Sequence, residues 1–425
     1  MPKNRWIKWT AWTLGVMLAL MALAWVTEKT SPGMVMRPVR TIAAKVGIEI
    51  LPRTLTDEER SIAREMARRW KAACLERHPI LAITPRSVPD DENGFLMLWE
   101  LGQGDGVSQE FQDMLRDLKN FDSDAARRHL EEHQEFIAHI ERIANTLSRS
   151  SMNMPDAYNG FIGIRHVKQA FDTLMLQACL AAEAGDEKEA LGRIHLAGNL
   201  AEHLSAIETP HLLSETGVVL FDISRHATTI NFLLPKLGPG ANLDAWQTEL
   251  NRFGGYTPQR YADLLRGEWH TGADHVAFQW IAQASLTGEL RNGKACAMAY
   301  SDRLTYQIAK FKNLLTWRGV DFKIPESDFS HLSREQQQLM SILAIGFDAW
   351  GEGFIRSALV IAKYRAAMDL LILERDGNEP SPDDTARITI DPISGEPFVF
   401  DPETRTLTAP EASQEILLEA LELPW

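Results

Sequence analysis

The chain has 425 residues, 45% apolar and 24% charged, enough for one large folded domain or two ordinary ones. Acids outnumber bases 58 to 44, and the net charge of −14 argues against a nucleic-acid partner, whose phosphates need cations. The three cysteines, Cys74, Cys179 and Cys296, form no C-x-x-C pair, and their apolar or small neighbours point to buried thiols. Their spacing leaves a disulfide open.

At the N-terminus Lys3, Arg5 and Lys8 precede an uncharged run, residues 9–26, WTAWTLGVMLALMALAWV. As a helix it would reach about 27 Å at 1.5 Å per residue, close to a hydrocarbon core of ~30 Å. Trp6, Trp9, Trp12 and Trp25 lie toward its ends, where indole rings favour the interface. This pattern predicts a single-pass anchor in the inner (cytoplasmic) membrane, with the lipid bilayer as a partner. The basic flank stays inside, and the remaining chain lies on the exported, periplasmic side. Ala22-Leu23-Ala24 leaves a cleaved signal peptide as the alternative. The expected divisions are a cytoplasmic tip and anchor at 1–27, a linker at 28–54, a helical domain at 55–350, and a C-terminal part at 351–425.

Thr56 and Glu59 form a capping box, after which Ile62, Met66, Trp70 and Cys74 recur every fourth residue and predict an amphipathic helix ending before His78-Pro79. A Pro-rich loop, a short apolar helix and the loop GQGDG follow; no strand precedes those glycines, so they are no dinucleotide fingerprint. Helices are expected at 124–147, 164–184, 187–206, 211–234 and 243–253, and a further one opens at Thr257-Pro258. The segment LMLQACLAAEAGDEKEALGRIHLAGNLA turns at Gly185-Asp186 and predicts one αα-hairpin. Ser333 and Gln336 cap the helix REQQQLMSILAIGFDAW, and a separate long helix covers 353–375. RITIDPISGEPFVFDPETRTLT then alternates around Asp-Pro and Ser-Gly turns, as a small antiparallel meander does. The acidic tail predicts a last helix docking Ile416, Leu417 and Leu421. The predicted fold class is mostly α: an N-terminal transmembrane helix, an exported multi-helix domain of αα-hairpin type, and a small C-terminal β meander.

His129-Leu130-Glu131-Glu132-His133 matches H-x-x-E-H, the zinc motif of inverted metallopeptidases. On one helix both histidines fall in the stripe of Leu130, Phe136, Ile137, Ile140, Ile143, Ala144 and Leu147, with Glu132 at its edge. A zinc reading would use His129 and His133 as ligands, Glu208 as a downstream third ligand and Glu132 as general base. Those enzymes embed the motif in an α/β fold, whereas no strand pattern occurs between 107 and 300. With 12 histidines and 58 acids a chance match is easy. The stripe therefore predicts a paired, mostly buried His129 and His133 without a metal between them. EWHTGADH, with Glu268, His270, Asp274 and His275, reads as a solvated turn or a satisfied core histidine. Asp391 and Asp401, each before a proline, read as turn starters ahead of calcium ligands.

Several stretches together carry a resemblance: VPDDENGFLMLWEL at 88–101, AAEAGDEKEALGRIHLAGNLAEHL, DLLRGEW at 263–269, ALVIAKYRAAMDLLILERDG and IDPISGEPFVF. This series is similar to a group of bacterial proteins with one N-terminal transmembrane segment and a helical exported domain, which implies that fold and no activity. Tyr364-Arg365 on a helix, followed by Asp391-Pro392-x-Ser394-Gly395-x-Pro397, also resembles the C-terminal end of type II secretion pseudopilins. In pseudopilins the membrane helix runs straight into that helix, whereas about 330 residues intervene here, and the pilin processing site is missing. The expected function is a non-catalytic, membrane-anchored envelope scaffold or partner-binding module, with no cofactor and another envelope protein as partner. The alternatives are the zinc-dependent peptidase and an accessory part of a secretion or pilus-like apparatus.

Overall fold

The computed structural model describes residues 55–102, 118–146, 164–320, 334–377 and 388–424, a few positions within those spans excepted. Helix α1, Asp57–Arg77, begins at the expected capping box: the Thr56 hydroxyl accepts from the Glu59 amide, and the Glu59 carboxylate accepts from the Thr56 amide at 2.9 Å. Its buried line is Ala63, Ala67, Trp70 and Cys74, and Ile62 is 45% exposed. Steps of four residues drift by about 40° each at about 100° per residue, so a line begun at Ile62 starts off the core face. All three cysteines are buried free thiols.

After α2, Gly94–Leu101, the expected helix over 124–147 is two helices, α3 (Ser123–Glu132) and α4 (Gln134–Asn145). The break is chemical. His133 Nδ1 donates to the His129 carbonyl at 2.8 Å, the acceptor that its own amide would use in an α-helix. That amide turns to the Leu130 carbonyl at 3.3 Å instead, and His133 leaves helical geometry at φ −120°, ψ 29°.

Helices α5 (Ile164–Glu183) and α6 (Glu187–Ser205) form the expected hairpin. Gly185 supplies the left-handed turn at φ 72°, and the Asp186 carboxylate caps α6 by accepting from the Glu189 amide. Helix α7, Leu212–Thr228, widens into a π turn at Thr229–Leu233 before α8, Leu234–Leu237. Pro235 lies just beyond; its ring blocks the carbonyl four residues back and it donates nothing. Then come α9 (Leu243–Leu250), α10 (Pro258–His275), α11 (Ala277–Leu286), α12 (Gly293–Lys312) and α13 (Arg334–Arg375). The two helices expected to meet near residue 350 are therefore one: Gly351 and Gly353 lower helix propensity without breaking a run of good helix formers.

The meander is present as β1 (Val399–Asp401) and β2 (Thr406–Thr408), antiparallel with Phe400 opposite Leu407. The tail differs from expectation. Leu421–Glu422 is strand β3, antiparallel to β2, where a helix was predicted. Leu421 and Leu423 are buried and Glu422 is exposed, a period of two that fits a strand. Among the described residues no helix is long and apolar enough to cross a membrane. This corrects the expectation of a transmembrane, single-pass character, and the run at 9–26 that carried it lies outside the described residues.

Two large apolar clusters form the interior. One gathers α2, α4–α9, the C-terminal half of α13 and the sheet; the other gathers α1, α10, α11, α12 and the middle of α13. Helices α7 and α13 serve both: Val218 and Leu359 face the first cluster, Val219 and Ile355 the second. Three fully buried tryptophans tie elements together through their indole N–H groups. Trp246 donates to the Glu187 carboxylate, Trp269 to the Ser301 hydroxyl, and Trp317 to the Tyr256 carbonyl.

Two glycines test this packing in opposite directions. A Cβ on Gly94 would lie 2.0 Å from Nδ1 of the buried His203, whereas one on Gly192, exposed in α6, meets nothing within 4 Å. Gly94→Ala is expected to destabilise by roughly 1–3 kcal/mol through overpacking. Gly192→Ala should stabilise by about 0.5–1 kcal/mol through helix propensity. Urea unfolding of both variants checks the pair.

Candidate functional site

The histidine pair predicted from the zinc motif is present as a pair. The His129 and His133 rings stack with centroids 4.3 Å apart and 30° between planes; His129 is buried and His133 half-buried. The helix break at His133 removes the single helical face on which the zinc arrangement depended, and Glu132 is exposed. Glu208 lies elsewhere, on the link between α6 and α7. There it accepts from the Arg86 amide at 3.3 Å and stands 3.8 Å from the Arg86 guanidinium. Among the described residues no three His, Cys, Asp or Glu side chains are placed to share a metal ion.

The other sequence candidates resolve as local structure. EWHTGADH is helical, forming the end of α10 rather than a turn. His270 is the satisfied core histidine, donating to the Leu81 carbonyl at 2.7 Å, and Asp274 pairs with Lys71 at 2.7 Å. The Glu268 carboxylate caps α7 by accepting from the Leu212 amide at 3.0 Å; burial raises its pKa, against that hydrogen bond. Asp391 accepts from the amides of Ile393 and Ser394, and Asp401 from the Glu403 amide and the Thr404 hydroxyl, so both carboxylates close their own turns.

The densest group of buried charges lies outside these motifs, at the seam between the two apolar clusters. Helix α7 carries Asp222, Arg225 and His226 at spacings of three and four, and all three side chains are fully buried. Asp222 accepts from Arg225 Nη1 at 3.2 Å and from the Tyr256 hydroxyl at 3.1 Å, and its Oδ1 lies 3.3 Å from His226 Nδ1. That nitrogen also faces the Asp222 carbonyl at 2.8 Å; both neighbours are acceptors, so Nδ1 carries the proton. Arg225 reaches on to the Glu249 carboxylate at 2.6 Å, and Arg365 on α13 donates to the Gly254 carbonyl. Burial acts to raise the Asp222 pKa, but His226, Arg225 and Arg365 outweigh it and hold the carboxyl below its ordinary range. Burial, with Asp222 beside it, pushes the Tyr256 phenol well up.

From this seam the chemistry opens into a cavity of about 580 Å³ between the α6–α7 link and α10. Arg260 joins the two: its guanidinium stacks over the Tyr256 ring at 4.3 Å and its Nε donates to Glu215 at 2.6 Å. The lining charges stand in pairs, Arg260 with Glu215, Arg252 with Glu202, and Arg266 with Asp263. Glu208, a further lining residue, is held by Arg86. Ile207, Phe253 and Leu264 supply the apolar part of the wall. The sequence held one signal for this region: three ionisable residues inside the otherwise apolar run VVLFDISRHATTINFLL. No protein-family model, curated protein or solved structure matches the chain.

Two measurements follow from these burials. Asp222→Ala leaves Arg225 and His226 enclosed without their shared carboxylate, so a loss of roughly 3–5 kcal/mol in urea unfolding is expected. His270 is buried and its pKa is pushed down to about 4, from an ordinary value of 6.5, mainly by burial. Above the ordinary value both folded and unfolded chains are neutral there and the full stability holds. As pH falls from that value toward about 4 the unfolded chain alone takes the proton, so stability drops. The slope of stability against pH in that window should flatten in a His270→Gln variant.

Proposed function

We propose that this protein is a non-catalytic helical scaffold that binds a partner, with the ion-paired cavity beside α10 as its binding surface. The observation that carries this reading is the state of the cavity's charges. Arg252, Arg260 and Arg266 each stand against a carboxylate, and Glu208 stands against Arg86. Such an arrangement displays charge and hydrogen-bonding capacity without freeing a base or nucleophile for chemistry. Its volume falls within the range of about 300–1,000 Å³ usual for ligand sites, and its rigid backing suits a preformed surface.

The test is capture by the full-length protein from an extract of its native cells, followed by mass spectrometry. Wild type should recover a defined partner that Arg266→Glu loses and that the charge-swapped pair, Arg266→Glu with Asp263→Arg, regains in part. Recovery of the same proteins by all three would overturn the assignment of the surface. Stoichiometric zinc in the purified chain that disappears in His133→Ala would overturn the non-catalytic reading in favour of the peptidase.

A further inference from the structure

Strand β2 has two neighbours of unequal standing. Val399, Phe400 and Asp401 of β1 pair with it along its whole length, whereas β3 pairs only Leu421 with Leu407 and Glu422 with Thr406. Leu421 and Leu423 are buried in the first apolar cluster, and Glu422 between them is exposed. The Leu423 amide donates to the Arg405 carbonyl at 2.9 Å, and Pro424, which has no amide proton, ends the ladder. Main-chain bonds and pockets for alternate side chains are the conditions under which a sheet edge accepts an added strand.

Arg405 gives a second, independent observation. Its φ of 51° lies in the left-handed region, just before β2, where glycine or asparagine is the usual occupant. Such a conformation persists in another residue only where the surroundings hold it. Here the side chain is held. Nη1 and Nη2 pair with the two carboxylate oxygens of Glu374, near the end of α13, at 2.9 Å each. Nη2 also donates to the Pro424 carbonyl at 3.1 Å, so one guanidinium fastens the residue after β3 to the long helix. A residue that only turned the chain would need no such side chain.

We propose that β3 is a displaceable strap over a docking edge, with Arg405 as its clasp. The edge is that of β2, and it takes an extended protein segment of one pattern: two leucines flanking an outward residue, then a proline. The chain's own segment keeps that edge from pairing indiscriminately, and a partner segment of the same pattern enters when the strap lifts. None of these residues lines the cavity beside α10, so the proposal does not rest on the reading of that cavity.

The experiment is fluorescence anisotropy of a labelled, blocked peptide, Glu-Ala-Leu-Glu-Leu-Pro-Trp, the sequence of residues 419–425, titrated with the full-length protein. In wild type the strap competes with the peptide. The double variant Leu421→Asp with Leu423→Asp, checked for fold by circular dichroism, frees the edge and should bind the peptide saturably, at least tenfold tighter. Adding Arg405→Gly, which relaxes the turn but removes the clasp, should weaken that binding about tenfold. A peptide with the leucines adjacent, Glu-Ala-Glu-Leu-Leu-Pro-Trp, should not compete. Hydrogen exchange on wild type provides a measurement that needs no variant: the Leu423 amide should exchange at least tenfold faster than the amides of the β1–β2 ladder. Wild-type dimers that form with concentration and that the double variant loses would assign the incoming segment to a second copy of this chain. Equal or no saturable binding with and without the strap, equal binding of the two peptides, or a Leu423 amide as protected as the β1–β2 ladder overturns the proposal.

Discussion

The structure turns on the burial of charge along one face of α7. Asp222, Arg225 and His226 have no solvent exposure, and removing an ion from water carries a penalty of several kcal/mol even after relaxation. The penalty is offset only by close partners drawn from distant parts of the chain. Tyr256 comes from the loop before α10, Glu249 from α9, and the Arg365 charge from α13. Well-packed apolar residues often match the stability of such a network, so its main contribution is positional. Two apolar faces tolerate small slides against each other, whereas a carboxylate shared by three donors does not. The network therefore holds the two apolar clusters in one register along α7 and α13, the two helices common to both.

The same elements explain how a rigid seam supports an open cavity. Arg260 stacks on Tyr256, whose hydroxyl donates to Asp222, so the cavity floor is continuous with the most buried charges in the described chain. Trp317 donates to the Tyr256 carbonyl and packs among Tyr261, Phe311 and Phe354, which fixes the loop from the other side. The backbone of residue 256 is thereby pinned by an indole, its side chain by a carboxylate and a guanidinium. The part of the cavity wall that Arg260 supplies is thereby held from several sides.

Most of the helical architecture was legible because it rests on local rules. The Thr56–Glu59 box, the Gly185-Asp186 turn and Pro258 at the start of α10 each act within a few residues and appear where those rules put them. The misses have physical causes of their own. The break at His133 needs a side chain to take the carbonyl that its own amide would use, a competition that periodicity does not register. The tail Leu421–Glu422 needs β2 as a neighbour before it reads as a strand, and its Leu- and Glu-rich composition favours a helix until that edge exists. The single helix α13 runs through two glycines because their small propensity deficit is outweighed by the good helix formers around them. The cavity was invisible for a similar reason. Its residues come from segments at 202–215 and 252–266, and nothing in either stretch alone announces that they meet.

Chance and function also separate on this scale. The two histidines of the H-x-x-E-H letters remain stacked, but the helix breaks at His133, Glu132 is exposed and Glu208 stands against Arg86. The cavity has no motif, but it has a gradient of commitment among its ion pairs. Arg260–Glu215 is shielded and doubly anchored, Arg252–Glu202 is partly open, and Arg266–Asp263 is the most open, with Asp263 mostly in solvent. A solvent-exposed pair is worth about 0–1 kcal/mol, so a ligand can exchange with it almost freely, whereas the shielded pair resists. The seam along α7 is therefore part of what holds the fold, whereas the pairs around the cavity differ in how far each is shielded from solvent.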